Sequence, residues 1–324
     1  MTSRVPTFKA PWWQPGGHLQ TLVPRFARRP VLTSQPVEIP LPDGDRLVAD
    51  LYPDAQPGKP LVIISHGLEG NSQRAYVLGL AQQAQALGYP VLAWNLRGCG
   101  RADNLTPTLY HSGASYDLDA VITWAAEQCG YTHFVLAGFS LGGNMTLKWL
   151  GEQGPEAARR GVRAAATASV PADLRGCAIA LERPANVIYR RHFVRAMKAR
   201  LQRKAAQFPE HFDTAPLAHC RTLWQLDDYY TAPHAGFRDA EDYYRQCSAR
   251  FFLAPIDVPT LMVSARNDPF LTPECFPEPQ AAKNAQLPLE ITASGGHVGF
   301  WGGGDRWWLD RRLMDFFESV TTDD

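Results

Sequence analysis

The chain has 324 residues, 45% of them hydrophobic, enough for one large α/β domain with an insertion or for two ordinary domains. Lys plus Arg and Asp plus Glu are equal at 32 each, and a formally neutral chain argues against general nucleic-acid binding, which needs a basic excess. The six cysteines stand singly with no C-x-x-C, so reduced core thiols are expected and neither a disulfide framework nor a zinc site is.

Residues 1–30 are rich in Pro and Trp, and the only helix predicted there is a short one within His18 to Phe26. Trp12, Trp13, Leu19, Leu22 and Phe26 are expected to cover part of the core. His18 reads as a packing or capping residue in preference to a site residue. No apolar leader precedes this segment and no run of 18 apolar residues follows, so a soluble, cytoplasmic protein without stable membrane insertion is expected.

Residues 37–41 and 46–52 alternate around Pro42-Asp43-Gly44-Asp45 and predict an antiparallel hairpin at a sheet edge. Leu61-Val62-Ile63-Ile64 reads as a strand buried on both faces. It leads into Ser65-His66-Gly67-Leu68-Glu69-Gly70. An H-G-x-x-G at this place suits the loop that supplies an oxyanion donor, here the backbone N–H of Leu68, with His66 organising the loop. A plain glycine turn is the competing reading. A helix over 75–87, a strand over 89–94 and a helix over 117–128 follow.

Residues 133–150, HFVLAGFSLGGNMTLKWL, carry the most informative pattern. Phe134 to Ala137 is a short apolar strand, Met145 to Leu150 is helical, and Gly138-Phe139-Ser140-Leu141-Gly142 lies between them. This is G-x-S-x-G in strand–turn–helix context, a nucleophile elbow. The small neighbours let the helix start lie close to the adjoining strands. The bend exposes the Ser140 hydroxyl and leaves the backbone N–H of Leu141 at a helix N-terminus, free to bind an oxyanion. The β-α-β-α-β-α order over 61–150 predicts a parallel sheet with helices on both faces.

A further strand is expected over 162–170. Residues 171–250 then lack strand-like runs, and Tyr189, Phe193, Met197 and Leu201 recur every four residues as in an amphipathic helix. The expected organisation is a hydrolase-type domain in two parts, 1–170 and 251–324, with 171–250 as a helical cap. Arg183, Arg190, Arg191, Arg195, Lys198, Arg200, Arg203 and Lys204 read as a solvated helix face, the alternative being a surface for anionic lipid or an anionic acyl substrate. Strands over 260–264 and 289–292 and a closing helix over 307–320 complete the chain.

An acyl-transfer serine needs a base and a carboxylate to hold that base. Asp268 and His297 both follow Ser140 and both lie just past the carboxyl end of a predicted strand, where open α/β sheets gather their catalytic groups. His297 is the only histidine after Asp268. Asp257 and Asp305 are the competing acids. Asp257 precedes its strand and Asp305 follows the histidine, so position favours Asp268. An Asx turn before Pro269 would be compatible with that role. Histidines are dispersed and no H-E-x-x-H occurs, so no metal and no cofactor are expected.

Several stretches together resemble the YheT-like α/β-hydrolases: GGHLQTLVPR, SHGLEGNSQRAY, NLRGCG followed by LYHSG, GFSLGGN, RNDPF and SGGHVGFWGG. GFSLGGN marks only the superfamily, whereas GHLQT and LYHSG are much more specific. The resemblance implies a serine hydrolase of short-chain or lipid-like esters, with its triad on Ser140, Asp268 and His297. Acyl transfer, thioester hydrolysis and a non-catalytic binding module are the alternatives on the same fold.

Overall fold

The computed structural model describes residues 4–26, 31–302 and 308–321. Alternating residues around the Gly44 turn form the hairpin of β1 (Gln35–Pro40) and β2 (Arg46–Tyr52), with β1 at the sheet edge. The apolar runs give β3 (Leu61–Ser65), β4 (Val91–Trp94), β5 (Phe134–Phe139), β6 (Val162–Ala168), β7 (Thr260–Ala265) and β8 (Leu289–Thr292). They order as β1-β2-β4-β3-β5-β6-β7-β8. The β1–β2 and β2–β4 pairs are antiparallel and all the rest are parallel.

The central strands bury both faces, which is why their sequences are continuously apolar. Alternate residues feed two separate cores. Leu61, Ile63, Phe134 and Leu136 pack with α3 (Ser115–Cys129) and α4 (Leu141–Gln153). Val62, Ile64, Val135 and Ala137 pack with α2 (Ala75–Ala86) and α8 (Trp308–Thr321). Between β6 and β7 the chain is helical, chiefly α5 (Leu174–Glu182), α6 (Val187–Gln207) and α7 (Ala240–Cys247), and these form the inserted cap. Tyr189, Met197 and Leu201 of α6 are buried in the cap's own cluster and Phe193 packs partly buried against it.

Three expectations need correction. The segment before the hairpin forms α1 (Gly16–Leu22) and a following 3-10 turn, yet of the five apolar side chains expected over the core only Leu22 packs against a buried cluster. Trp12 and Phe26 are 91% and 88% exposed, Trp13 and Leu19 are also exposed, and Leu22 is half-buried. The buried residues of this segment are Phe8, which joins the core under α8, and the polar Gln14 and Gln20. The basic stretch is not a uniformly solvated face either, because Arg200 and Lys204 are buried. Arg200 pairs with Glu69 (2.9 Å), and the Lys204 ammonium donates to the carbonyls of Asn104 (3.2 Å) and Thr106 (2.7 Å). Finally, β6 stops at Ala168, two residues early, because Ser169 turns to φ +52° and leaves the extended region. Asp305 and Trp307 lie outside the described residues.

Candidate active site

Packing forces the turn at Ser140. A Cβ on Gly138 would lie 2.6 Å from the Gly143 Cα, and one on Gly142 would lie 2.4 Å from the Ser65 carbonyl oxygen. Only glycine lets α4 start this close to β3 and β5. Ser140 itself sits at φ +52°, ψ −121°, a strained conformation for a residue with a side chain. Its backbone N–H donates to the Ala168 carbonyl (2.9 Å) and its carbonyl accepts from Asn144 (3.0 Å), which over-determine the bend.

Three loops at the carboxyl ends of β5, β7 and β8 bring the predicted residues together. The Ser140 hydroxyl donates to His297 Nε2 at 2.9 Å, and His297 Nδ1–H donates to Asp268 Oδ2 at 2.8 Å. The Asp268 carboxylate is wholly buried and the imidazole is 11% exposed. The other carboxylate oxygen of Asp268 accepts from the Phe270 N–H (2.9 Å), so the Asx turn and the contact with His297 coexist. The Phe270 ring lies against the imidazole, 4.2 Å between centroids. Asp257, the competing acid, lies before β7, at the opposite end of the strand from this cluster.

The loop after β3 passes directly beside the serine, since a Cβ on Gly67 would lie 3.1 Å from the Ser140 Cβ. The amides flanking Leu68 are committed. Gly67 donates to Tyr76 Oη and Glu69 to Tyr110 Oη, both at 3.0 Å. The Leu68 amide has no acceptor among the described residues, and the Leu141 amide is the first of its helix, where no internal acceptor exists. His66 holds the loop rather than joining the serine. Its Nδ1–H donates to the Gly67 carbonyl (2.8 Å) and its Nε2 accepts from Leu96 (3.1 Å). Complete burial pushes its pKa down to about 4, so the imidazole is held neutral.

Backbone strain concentrates here. The five non-glycine residues with positive φ are Glu69, Ser140, Ser169, Val298 and Phe300, among the described residues. Each lies on a loop or bend bordering the serine or the histidine.

The sequence reading missed what holds the histidine. Gln20 Oε1 accepts from Gly295 N–H (2.8 Å) and from the Asn267 amide (2.9 Å), while its own amide donates to the Gln14 carbonyl (2.8 Å). Thr21 Oγ1 accepts from the His297 N–H (2.9 Å) and donates to the Gly17 carbonyl (2.7 Å). A Cβ on Gly17 would meet the Asn267 carbonyl oxygen at 1.7 Å. Helix α1 thus clamps the acid loop and the base loop together, and the family-specific GHLQT motif, not its hydrophobic pattern, was the available signal. His18 stacks on Tyr189 of the cap, 5.7 Å between centroids, which is a packing role. Asn144 was also missed. Its amide donates to the carbonyls of Ser112 and Cys247, and its Oδ1 accepts from Ala249, tying the LYHSG loop and the end of α7 to α4.

Above Ser140 is a cavity between sheet and cap. Leu68, Leu141, Leu181, Phe193, Met197 and Phe270 give it apolar walls. Asp227 stands among these walls, and burial pushes its pKa up to about 6 while the Tyr244 hydroxyl donates to it (2.6 Å).

A family model described as alpha/beta hydrolase fold matches residues 60–304. The YheT protein of Escherichia coli (strain K12) is 36% identical over an alignment covering 92% of this chain and 89% of that protein. Phospholipase ABHD3 of Mus musculus is 29% identical, covering 95% and 77%. Among solved structures, the Pyrococcus furiosus esterase Pf2001 superposes with a TM-score of 0.57 at 17% identity, over 91% of this chain and 99% of that one. That last likeness speaks to fold, and agrees with the mostly parallel sheet, its flanking helices and the elbow. Taken with the match over residues 60–304 and the close YheT relative, it means that the chain belongs to the α/β-hydrolase family and, within it, to the YheT-like group.

Proposed function

We propose that the protein is a serine hydrolase of carboxylic esters, acting on short- to medium-chain or lipid-like acyl groups through an acyl-enzyme. The observation that carries this reading is the unbroken hydrogen-bond chain Ser140–His297–Asp268 beside an apolar cavity. The names of the relatives agree with it, since ABHD3 is called a phospholipase and YheT carries an esterase name.

In this mechanism His297 Nε2 takes the Ser140 proton as the oxygen attacks the ester carbonyl. The carbonyl oxygen becomes an oxyanion and accepts hydrogen bonds from the amides of Leu68 and Leu141, each worth ~3 kcal/mol in the transition state. The imidazolium then protonates the leaving alcohol. Water, deprotonated by His297, attacks the acyl-enzyme and releases the carboxylic acid. Asp268 stays ionised throughout, holding His297 in the Nδ1–H tautomer and stabilising its cation.

The test is hydrolysis of p-nitrophenyl esters from acetate to palmitate. Wild type is expected to turn over the shorter members, and Ser140→Ala to fall to background. Asp268→Asn is expected to lose about 10⁴-fold in kcat, because the imidazole is then held in the wrong tautomer. Failure of wild type on every ester, with no labelling of Ser140 by a fluorophosphonate, would sink the reading.

A further inference from the structure

Five of the eleven exposed large apolar side chains among the described residues fall between positions 12 and 31. They are Trp12, Trp13, Leu19, Phe26 and Val31. Gln20 and Thr21 of α1 face the acid and base loops, and the exposed Leu19 of the same helix lies in the chain between Trp12 and Trp13 before it and Phe26 after it. Exposed apolar residues scattered singly need no explanation, but a cluster led by an aromatic pair at 91% and 88% exposure does. The cap extends the same region. Tyr189 of α6 stacks on His18 of α1, and its neighbour Ile188 is 65% exposed. Ile188, Arg191 and Arg195 are spaced i, i+3 and i+7, so they share one stripe of α6, and all three are exposed.

Several exposed arginines of the molecule are matched by acids, as in Arg46–Glu38, Arg175–Glu241 and Arg266–Glu278. Arg25, Arg191 and Arg195 are exposed and have no acidic partner among the described residues. Both elements also border the candidate site, because α1 holds the His297 loop and Phe193 and Met197 of α6 line the cavity.

We propose that the outer side of α1 and the Ile188–Arg195 stripe of α6 dock on an anionic phospholipid bilayer. Trp12, Phe26 and Ile188 enter the headgroup boundary while Arg25, Arg191 and Arg195 meet lipid phosphates, the combination that holds interfacial proteins in the membrane plane. No helix among the described residues is long and apolar enough to cross a membrane, so this attachment is peripheral. It brings the cavity to the lipid surface from which an acyl ester would enter. That last step rests on the ester-hydrolase reading, whereas the docking does not.

The experiment is co-flotation of the full chain with vesicles of phosphatidylcholine alone or mixed with phosphatidylglycerol. Wild type is expected to float with the anionic vesicles, and to be released as salt rises past the screening range. Trp12→Ser/Phe26→Ser and Arg191→Glu/Arg195→Glu are each expected to weaken binding about tenfold or more. Both variants should keep wild-type turnover of a soluble p-nitrophenyl ester, which shows that they fold. Ser140→Ala should float like wild type, which separates docking from catalysis. Wild type remaining in solution at low salt with anionic vesicles overturns the proposal, as does binding that survives both double variants. A dimer in vesicle-free buffer that Trp12→Ser/Phe26→Ser dissolves would assign the face to a second copy and overturn it equally.

Discussion

At the scale of single residues, the Ser140–His297–Asp268 cluster is held in place by side chains outside it. Thr21 fixes the His297 amide from one side while donating to Gly17 from the other. We expect Thr21→Val to lower kcat about 10- to 100-fold with little change in KM, because a displaced imidazole loses its in-line proton transfer. Thr21→Ser keeps the hydroxyl and should restore most of the rate. An equal loss in both variants would mean that the methyl packing mattered instead. His66 governs a second property. Its pKa is pushed down to about 4 in the folded chain against 6.5 when unfolded, and burial does the same to His111. Between these values the unfolded state binds the proton and the folded state does not. Stability is therefore complete above pH 6.5 and is lost as pH falls toward 4, by about 3 kcal/mol for each histidine. Urea unfolding at pH 7 and pH 5 should show the loss, and His66→Asn should make the dependence shallower.

At the scale of elements, the strands and main helices of the sheet were legible because each has one dominant local cause. A continuous apolar run becomes a two-face strand, and small residues flanking a serine become the elbow. The short helix α1 was legible, but its buried face was not, because that face is set by contacts more than 240 residues away, with Asn267, Gly295 and His297. Periodicity shows which residues are apolar, not that polar Gln20 is the buried one. The docking of α1 can be tested alone. Gly17→Ala would put a Cβ 1.7 Å from the Asn267 carbonyl oxygen, so α1 must lift from the acid loop. Overpacking of this kind costs ~1–3 kcal/mol. We expect a lower Tm and a loss of esterase rate, with the circular-dichroism spectrum of the sheet and main helices retained.

At the scale of the whole molecule, cap and sheet domain meet through buried charge as well as through apolar walls. Arg200 of α6 reaches Glu69 beside Leu68, and its guanidinium covers the Tyr110 ring at 4.4 Å. Arg200→Met would leave the Glu69 carboxylate buried without its cation. Breaking a buried pair costs about 3–5 kcal/mol, so the urea midpoint should fall markedly, and kcat with it as the loop carrying the Leu68 amide loosens. A variant of wild-type stability would show that solvent replaces the pair. This contact also marks the limit of sequence reading, because Arg200 lies within a run of basic residues and nothing local separates it from solvated Arg195. The sequence by itself determined the alternation of strands and helices, the strained bend at Ser140, and Asp268 and His297 as loop residues at strand ends. These follow from short-range sterics and from the handedness of parallel crossovers. Only the tertiary structure decided that the three side chains meet within 3 Å, that α1 clamps two of their loops, and which cap arginines are buried. Those outcomes depend on where distant segments pack, and on which polar groups that packing leaves in need of a partner.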